Sequence, residues 1–101
     1  MFEVHFLIPL ADNEGRVFTD THHAEFEQAV LDRFSGLSLL PGTVAGQWRE
    51  SGKVFSDRSR VYSIAMSSIT HGHLIGELAE IAKVHYLQDA IYVSYLGLAE
   101  I

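Results

Sequence analysis

Phe2, Val4, Phe6 and Ile8 alternate with Glu3, His5 and Leu7 at the start of the chain, the period of two expected of a strand with one buried face. Pro9 ends that run, and Asp12-Asn13-Glu14-Gly15 marks a turn-rich connection from Leu10 to Phe18. The period then changes. Phe26, Val30 and Phe34 recur every four residues with His23 and Ala29 beside them, which predicts an amphipathic helix from about 21 to 34, capped by Asp20 or Thr21 and stopped by Ser35-Gly36. Leu37 to Leu40 begins a second extended stretch, broken at Pro41-Gly42.

The stretch from Gly42 to Met66 carries the only Trp and four of the seven basic residues. Ser51-Gly52 lies between two runs of β-formers, and a two-residue turn there sets Glu50 opposite Lys53, Arg49 opposite Val54 and Trp48 opposite Phe55. In that register Arg49 shares a face with Gln47, Arg58, Arg60 and Tyr62, unless a bulge between Phe55 and Ser59 splits the cluster. Val61 to Met66 is a short continuous apolar run, as in a central strand covered on both sides. Thr70 can cap a second helix whose stripe is Leu74, Ile75, Leu78, Ile81, Ala82 and His85, and Ala90 to Tyr95 forms the last strand before a tail from Gly97 to Ile101.

Strand, helix, strand, strand, helix, strand is the ferredoxin-like βαββαβ order of the α+β class, an antiparallel sheet with two helices on one face and the first and third strands at its centre. At 101 residues the chain is one domain, able to form a core without a metal or disulfide. Two helices leave the other sheet face open, where Leu7, Tyr62 or Val61, and Tyr92 or Val93 are expected. An open apolar face of this kind predicts a homodimer or a ligand.

Charge narrows the partners. The chain carries a formal net charge of −6, so nucleic acid and anionic membranes are not expected partners. Residues 47–60 nonetheless hold Arg49, Lys53, Arg58 and Arg60 against Glu50 and Asp57, which leaves three basic and eleven acidic residues elsewhere. A local site for a small anion fits that distribution, with Trp48, Arg49, Arg58, Arg60 and Tyr62 as its candidate binding residues, because guanidinium forks pair with carboxylate or phosphate beside an aromatic wall. The same arginines could instead pair with acids and keep an exposed strand from aggregating. With no cysteine and no leader or apolar span at the N-terminus, a cytoplasmic setting is expected.

Six histidines raise the question of a metal, but no HExxH spacing is present and adjacent His22 and His23 point about 100° apart on a helix, so no metal site and no cofactor are expected. His5, on the open face near Tyr62 or Tyr92, is the one weak catalytic candidate by its titration range. No phosphate-binding loop, dinucleotide fingerprint or nucleophile elbow occurs.

Four segments carry a resemblance: G-x-V-x-G-Q-W-R at Gly42 to Arg49, G-x-V at Gly52 to Val54, D-x-S-x-V-Y at Asp57 to Tyr62, and Q-D-A-I-Y-V at Gln88 to Val93. They are similar to a family of small uncharacterised bacterial proteins marked by a Gly-x-Trp-Arg hairpin and a late Gln-x-x-Val strand. The resemblance implies a dimeric ferredoxin-like α+β sandwich with no established activity. The first expectation is therefore an interaction domain whose open face packs on a second copy. The alternative is a small-molecule enzyme or anion-binding protein of the dimeric α/β-barrel kind that uses His5 and the arginine face.

Overall fold

Two strands distant in sequence, β1 (Phe2–Pro9) and β4 (Lys53–Met66), lie side by side at the centre of the sheet in the computed structural model. The structure describes residues 2–67 and 72–98, and the side chains of all of these except Trp48 and 95–98. The remaining elements are α1 (Asp20–Leu31), β2 (Gly36–Leu39), β3 (Val44–Glu50), α2 (Gly72–His85) and β5 (Tyr92–Leu98). All pairings are antiparallel, in the order β2-β4-β1-β5, with β3 also paired to β4. This is the expected ferredoxin-like fold. Its second strand is interrupted at Pro41-Gly42, so β2 lies against the body half of β4 and β3 against the outer half.

The hairpin register is the expected one. Glu50 pairs with Lys53, Arg49 with Val54 and Trp48 with Phe55, and the pairing runs unbroken to Val44 opposite Ser59. Ser51 and Gly52 both take positive φ, 53° and 80°, which a two-residue turn matching the right-handed strand twist requires.

The alternation in β1 places Val4, Phe6 and Ile8 against both helices, with no exposed surface. Their partners in β4 are Ile64, Tyr62 and Arg60, so Tyr62 lies on the helix side, fully buried, and not on the open face. Leu7, Val61 and Tyr92 are the apolar residues of the open face, with Glu3, His5, Ser63 and Ser94 among them. That face is thus more polar than expected, because the alternation in Ser59, Val61, Ser63 and Ala65 puts small and polar side chains there; the helices cover Val61 to Met66 on one side, and on the other Val61 is buried while Ser63 and Ala65 are half-buried.

Thr19, one residue earlier than expected, caps α1: its Oγ1 accepts from the His22 amide at 3.1 Å. The helix ends at Leu31, and a tight turn through Arg33 returns Phe34 to the core, its amide bonded to the Val30 carbonyl at 2.8 Å. The expected Thr70 cap, and residues 99–101 of the tail, lie outside the described residues. In α2 the buried stripe is Ile75, Leu78 and Ala82, continued by Tyr86 just past the helix. Leu87 then takes φ 54° while the Gln88 amide reaches back to the Lys83 carbonyl at 2.9 Å, a helix-ending arrangement that usually uses Gly. The last strand begins two residues later than expected, at Tyr92.

Candidate functional site

The same alternation that builds the core decides where the candidate residues go. Arg49, Arg58, Arg60 and Tyr62 do share one side of the sheet by register, since no bulge interrupts the β3–β4 pairing. They do not converge. Arg49 and Arg58 stand about 13 Å apart along the hairpin at the rise of an extended strand. Arg58 Nη1 donates to Thr43 Oγ1 at 2.9 Å on the surface. Arg60 turns inward, where its Nη1 donates to the Tyr62 hydroxyl at 3.1 Å and lies 3.8 Å from a Glu27 carboxylate oxygen. Tyr62 donates in turn to Glu27 at 2.6 Å. An anion site made jointly by Arg49, Arg58, Arg60 and Tyr62 is therefore not assembled within one chain: strand extension separates the first two arginines, and burial removes Tyr62 from reach. The side chain of Trp48 lies outside the described residues.

Burial, and the bond to the Glu27 carboxylate, push the Tyr62 phenol up to about 12. The Arg60 guanidinium donates to Tyr62 and lies beside the Glu27 carboxylate, while its Nε is buried without a hydrogen-bond partner.

His5 lies on the opposite face from Arg60 and Tyr62, across the thickness of the sheet, so the two halves of the expected enzyme site do not meet within one chain. Its Nε2 contacts Glu3 Oε1 at 2.8 Å, and the same oxygen accepts from Ser63 Oγ at 2.7 Å. The Ser63 hydroxyl and then His5 hold the Glu3 carboxyl below its ordinary range. Ser63 gives its proton to the carboxylate and not to His5, so the three residues form no nucleophile–base relay.

The chemistry that the spacing of residues did not bring out lies where α1 meets the end of α2. His23 is buried, with Nδ1 2.7 Å from the Tyr86 hydroxyl. Burial first, and then the nearby Arg60 charge, lower the His23 imidazole to about 4, so it is neutral over the physiological range. Burial raises the Tyr86 phenol well above its ordinary value. Beside this pair, Phe18, His22 and His85 stack face to face, with centroid separations of 4.9 Å and 3.8 Å. Tyr86 stands nearly edge-on to Phe18 and His85. A shallow open depression of about 430 Å³, lined by Glu80, Ile81, Val84 and His85, adjoins the stack. His22 and His23 therefore do point apart, as their adjacency requires, but one enters the core and the other meets a histidine 63 residues away. Only the i, i+4 tracking of His85 with Ile81 pointed to this seam.

Among the described residues no helix is long and apolar enough to cross a membrane. No family model matches the chain and no curated protein matches it in sequence. Solved structures do match over nearly all of it. The divalent cation tolerance protein CutA1 of Thermus thermophilus superposes with a TM-score of 0.67 at 16% identity, covering 99% of this chain and 85% of that one. CutA1 of Oryza sativa gives 0.65 at 17% identity, covering 99% and 81%. A phage SAM lyase in complex with S-methyl-5′-thioadenosine gives 0.65 at 11% identity, covering 98% and 89%. At these identities the likeness is one of fold: the chain has the ferredoxin-like fold that these proteins share.

Proposed function

We propose that the chain is a self-associating interaction domain, in its simplest form a homodimer, joined through the β3–β4 arm and the adjoining open sheet face. One observation carries this reading. Among the described residues β3 pairs only with β4, and the arm leaves Val44, Val54 and Phe55 exposed at 42%, 57% and 40%. A protruding two-stranded ribbon with apolar side chains and an unpaired edge is marginal by itself in water and is a template for another chain. The absence of cysteine suits a cytoplasmic setting, and the Gly-x-Trp-Arg hairpin that resembles a small bacterial family lies on this arm.

Light scattering across a dilution series tests the reading. A monomer at micromolar concentration, unchanged in stability on dilution, would remove it. A closed dimer or larger ring that loosens in Val54→Asp supports it and supplies the stoichiometry.

The second reading is a small-molecule or anion-binding function, supported by the occurrence of this fold in a lyase complexed with S-methyl-5′-thioadenosine. Here the accessible residues are Arg49 and Arg58 of the arm with Trp48, and His5 of the open face, drawn together from different copies. Melting temperature against sulfate, phosphate and small carboxylates at constant ionic strength, compared between wild type and Arg58→Ala, decides it: equal responses remove Arg58 from any such site.

A further inference from the structure

The histidine seam gathers a donor set that packing occupies only in part. His22 and Glu25 lie one turn apart on α1, and His85 closes the last turn of α2. Among the described residues these three bring one nitrogen or oxygen each to within 4.8 Å of one another. His22 Nδ1 and His85 Nε2 each stand 3.9 Å from Glu25 Oε1. The two rings are also tied reciprocally to main chain: His22 Nε2 lies 2.6 Å from the His85 carbonyl oxygen, and His85 Nε2 lies 2.7 Å from that of His22. A carbonyl only accepts, so Nε2 carries the proton in both rings and Nδ1 presents a lone pair. His22 thus has the support that metal-ligating histidines receive, with Nδ1 free toward Glu25 and the other N–H fixed on a carbonyl, whereas in His85 the nitrogen nearest Glu25 is the one that donates to the His22 carbonyl.

We propose that His22, Glu25 and His85 bind a divalent transition-metal ion, of which zinc is the type case, and that the ion clips α1 to α2. His22 ligates through Nδ1 while its Nε2–H stays on the His85 carbonyl. Glu25 supplies a carboxylate oxygen from a side chain that is 62% exposed and free to change rotamer. His85 tilts out of the stack and exchanges its bond to the His22 carbonyl for coordination. Imidazole and carboxylate donors favour zinc, nickel, cobalt or copper over magnesium and calcium, which take oxygen shells. Donors around a tetrahedral ion with bonds of about 2.0–2.1 Å stand about 3.4 Å apart, so each 3.9 Å separation closes by about half an ångström. Three protein donors leave the fourth position to water.

The test is the melting temperature and calorimetric titration of the full chain with zinc and nickel, with magnesium and calcium at equal ionic strength for comparison. Variants are Glu25→Gln, His22→Ala and, as a control outside the seam, His73→Ala. Wild type and His73→Ala are expected to gain stability with zinc and to saturate at one ion per chain, with no such gain from magnesium. Glu25→Gln, an exposed change that leaves the core untouched, is expected to bind zinc at least ~10-fold more weakly. Zinc is expected to move the His22 Nδ1 resonance in a nitrogen-15 imidazole spectrum of wild type. Zinc stabilisation no greater than magnesium's, an unmoved His22 resonance, or equal zinc affinity in Glu25→Gln would each overturn the assignment. Should His22→Ala not fold, the Glu25→Gln titration and the spectrum decide alone.

Discussion

The two halves of β4 form one unbroken strand in two environments. From Lys53 to Arg58 every residue is exposed, and from Ser59 to Met66 every residue is buried or half-buried. The strand geometry and side-chain alternation are the same throughout; what differs is that the inner half is flanked by β1 and β2 and crossed by helices. Over the inner half, Phe26, Val30, Leu78 and Tyr86 cover Tyr62 and Ile64. Beyond Ser59 the ribbon continues with β3 alone. Burial along β4 thus follows the helices on one face and the flanking strands on both sides, and the apolar residues of the arm, beyond their reach, stay exposed.

Aromatic truncation gives the largest contrast between the halves. Phe26→Ala, in the core, is expected to cost about 3–5 kcal/mol, whereas Phe55→Ala on the arm should cost far less in dilute protein and weaken self-association instead. Denaturant midpoints at two protein concentrations measure both. Equal, concentration-independent losses would mean that the arm is covered within one chain.

Acid separates them next. The unfolded His23 imidazole titrates near 6.5 and the folded one near 4, so between these values only the unfolded state takes up the proton. Stability is then full above pH 6.5 and falls as the pH drops toward 4, with a slope approaching about 1.4 kcal/mol per unit. Tyr62 acts at the other end. Its stabilisation is complete below pH 10 and is lost as pH rises through about 12. Both effects belong to the body, and Tyr86→Phe, which leaves His23 without its hydroxyl, should cost about 1–3 kcal/mol in the pH range where His23 is neutral. A flat stability profile between pH 4 and 6.5 would show His23 to be solvated.

Arg58 and Arg60 sharpen the comparison two residues apart on one face. Arg60→Ala removes a donor to Tyr62 and a charge beside Glu27, for about 1.5–3 kcal/mol, while Arg58→Ala loses one exposed bond to Thr43, for about 0–1 kcal/mol. Chemical denaturation of the two variants should order them so, and the reverse order would place Arg58 in an interface.

The smallest effect is in the backbone. Leu87 and Ser51 both hold the left-handed conformation that suits Gly, one at the end of a body helix and one at the tip of the arm. Leu87→Gly should raise global stability by about 1 kcal/mol. Ser51→Gly should change amide exchange in the arm and leave the global midpoint nearly unmoved. A global gain from Ser51→Gly would tie the arm cooperatively to the body.

The sequence by itself determined the element order, the turn at Ser51-Gly52, the hairpin register and the buried face of β1, because each is a matter of local conformation or of period along a single element. It also placed Arg49, Arg58, Arg60 and Tyr62 on one side, since strand parity needs no tertiary information. Only the tertiary structure decided which side that was. Ile8 opposite Arg60 and Phe6 opposite Tyr62 put that face under the helices, across the sheet from His5. The seam of His22, His23, His85 and Tyr86 was likewise beyond any spacing rule. Its partners lie 63 residues apart, and they meet because two helices that each bury a stripe on the same sheet must also lie against one another.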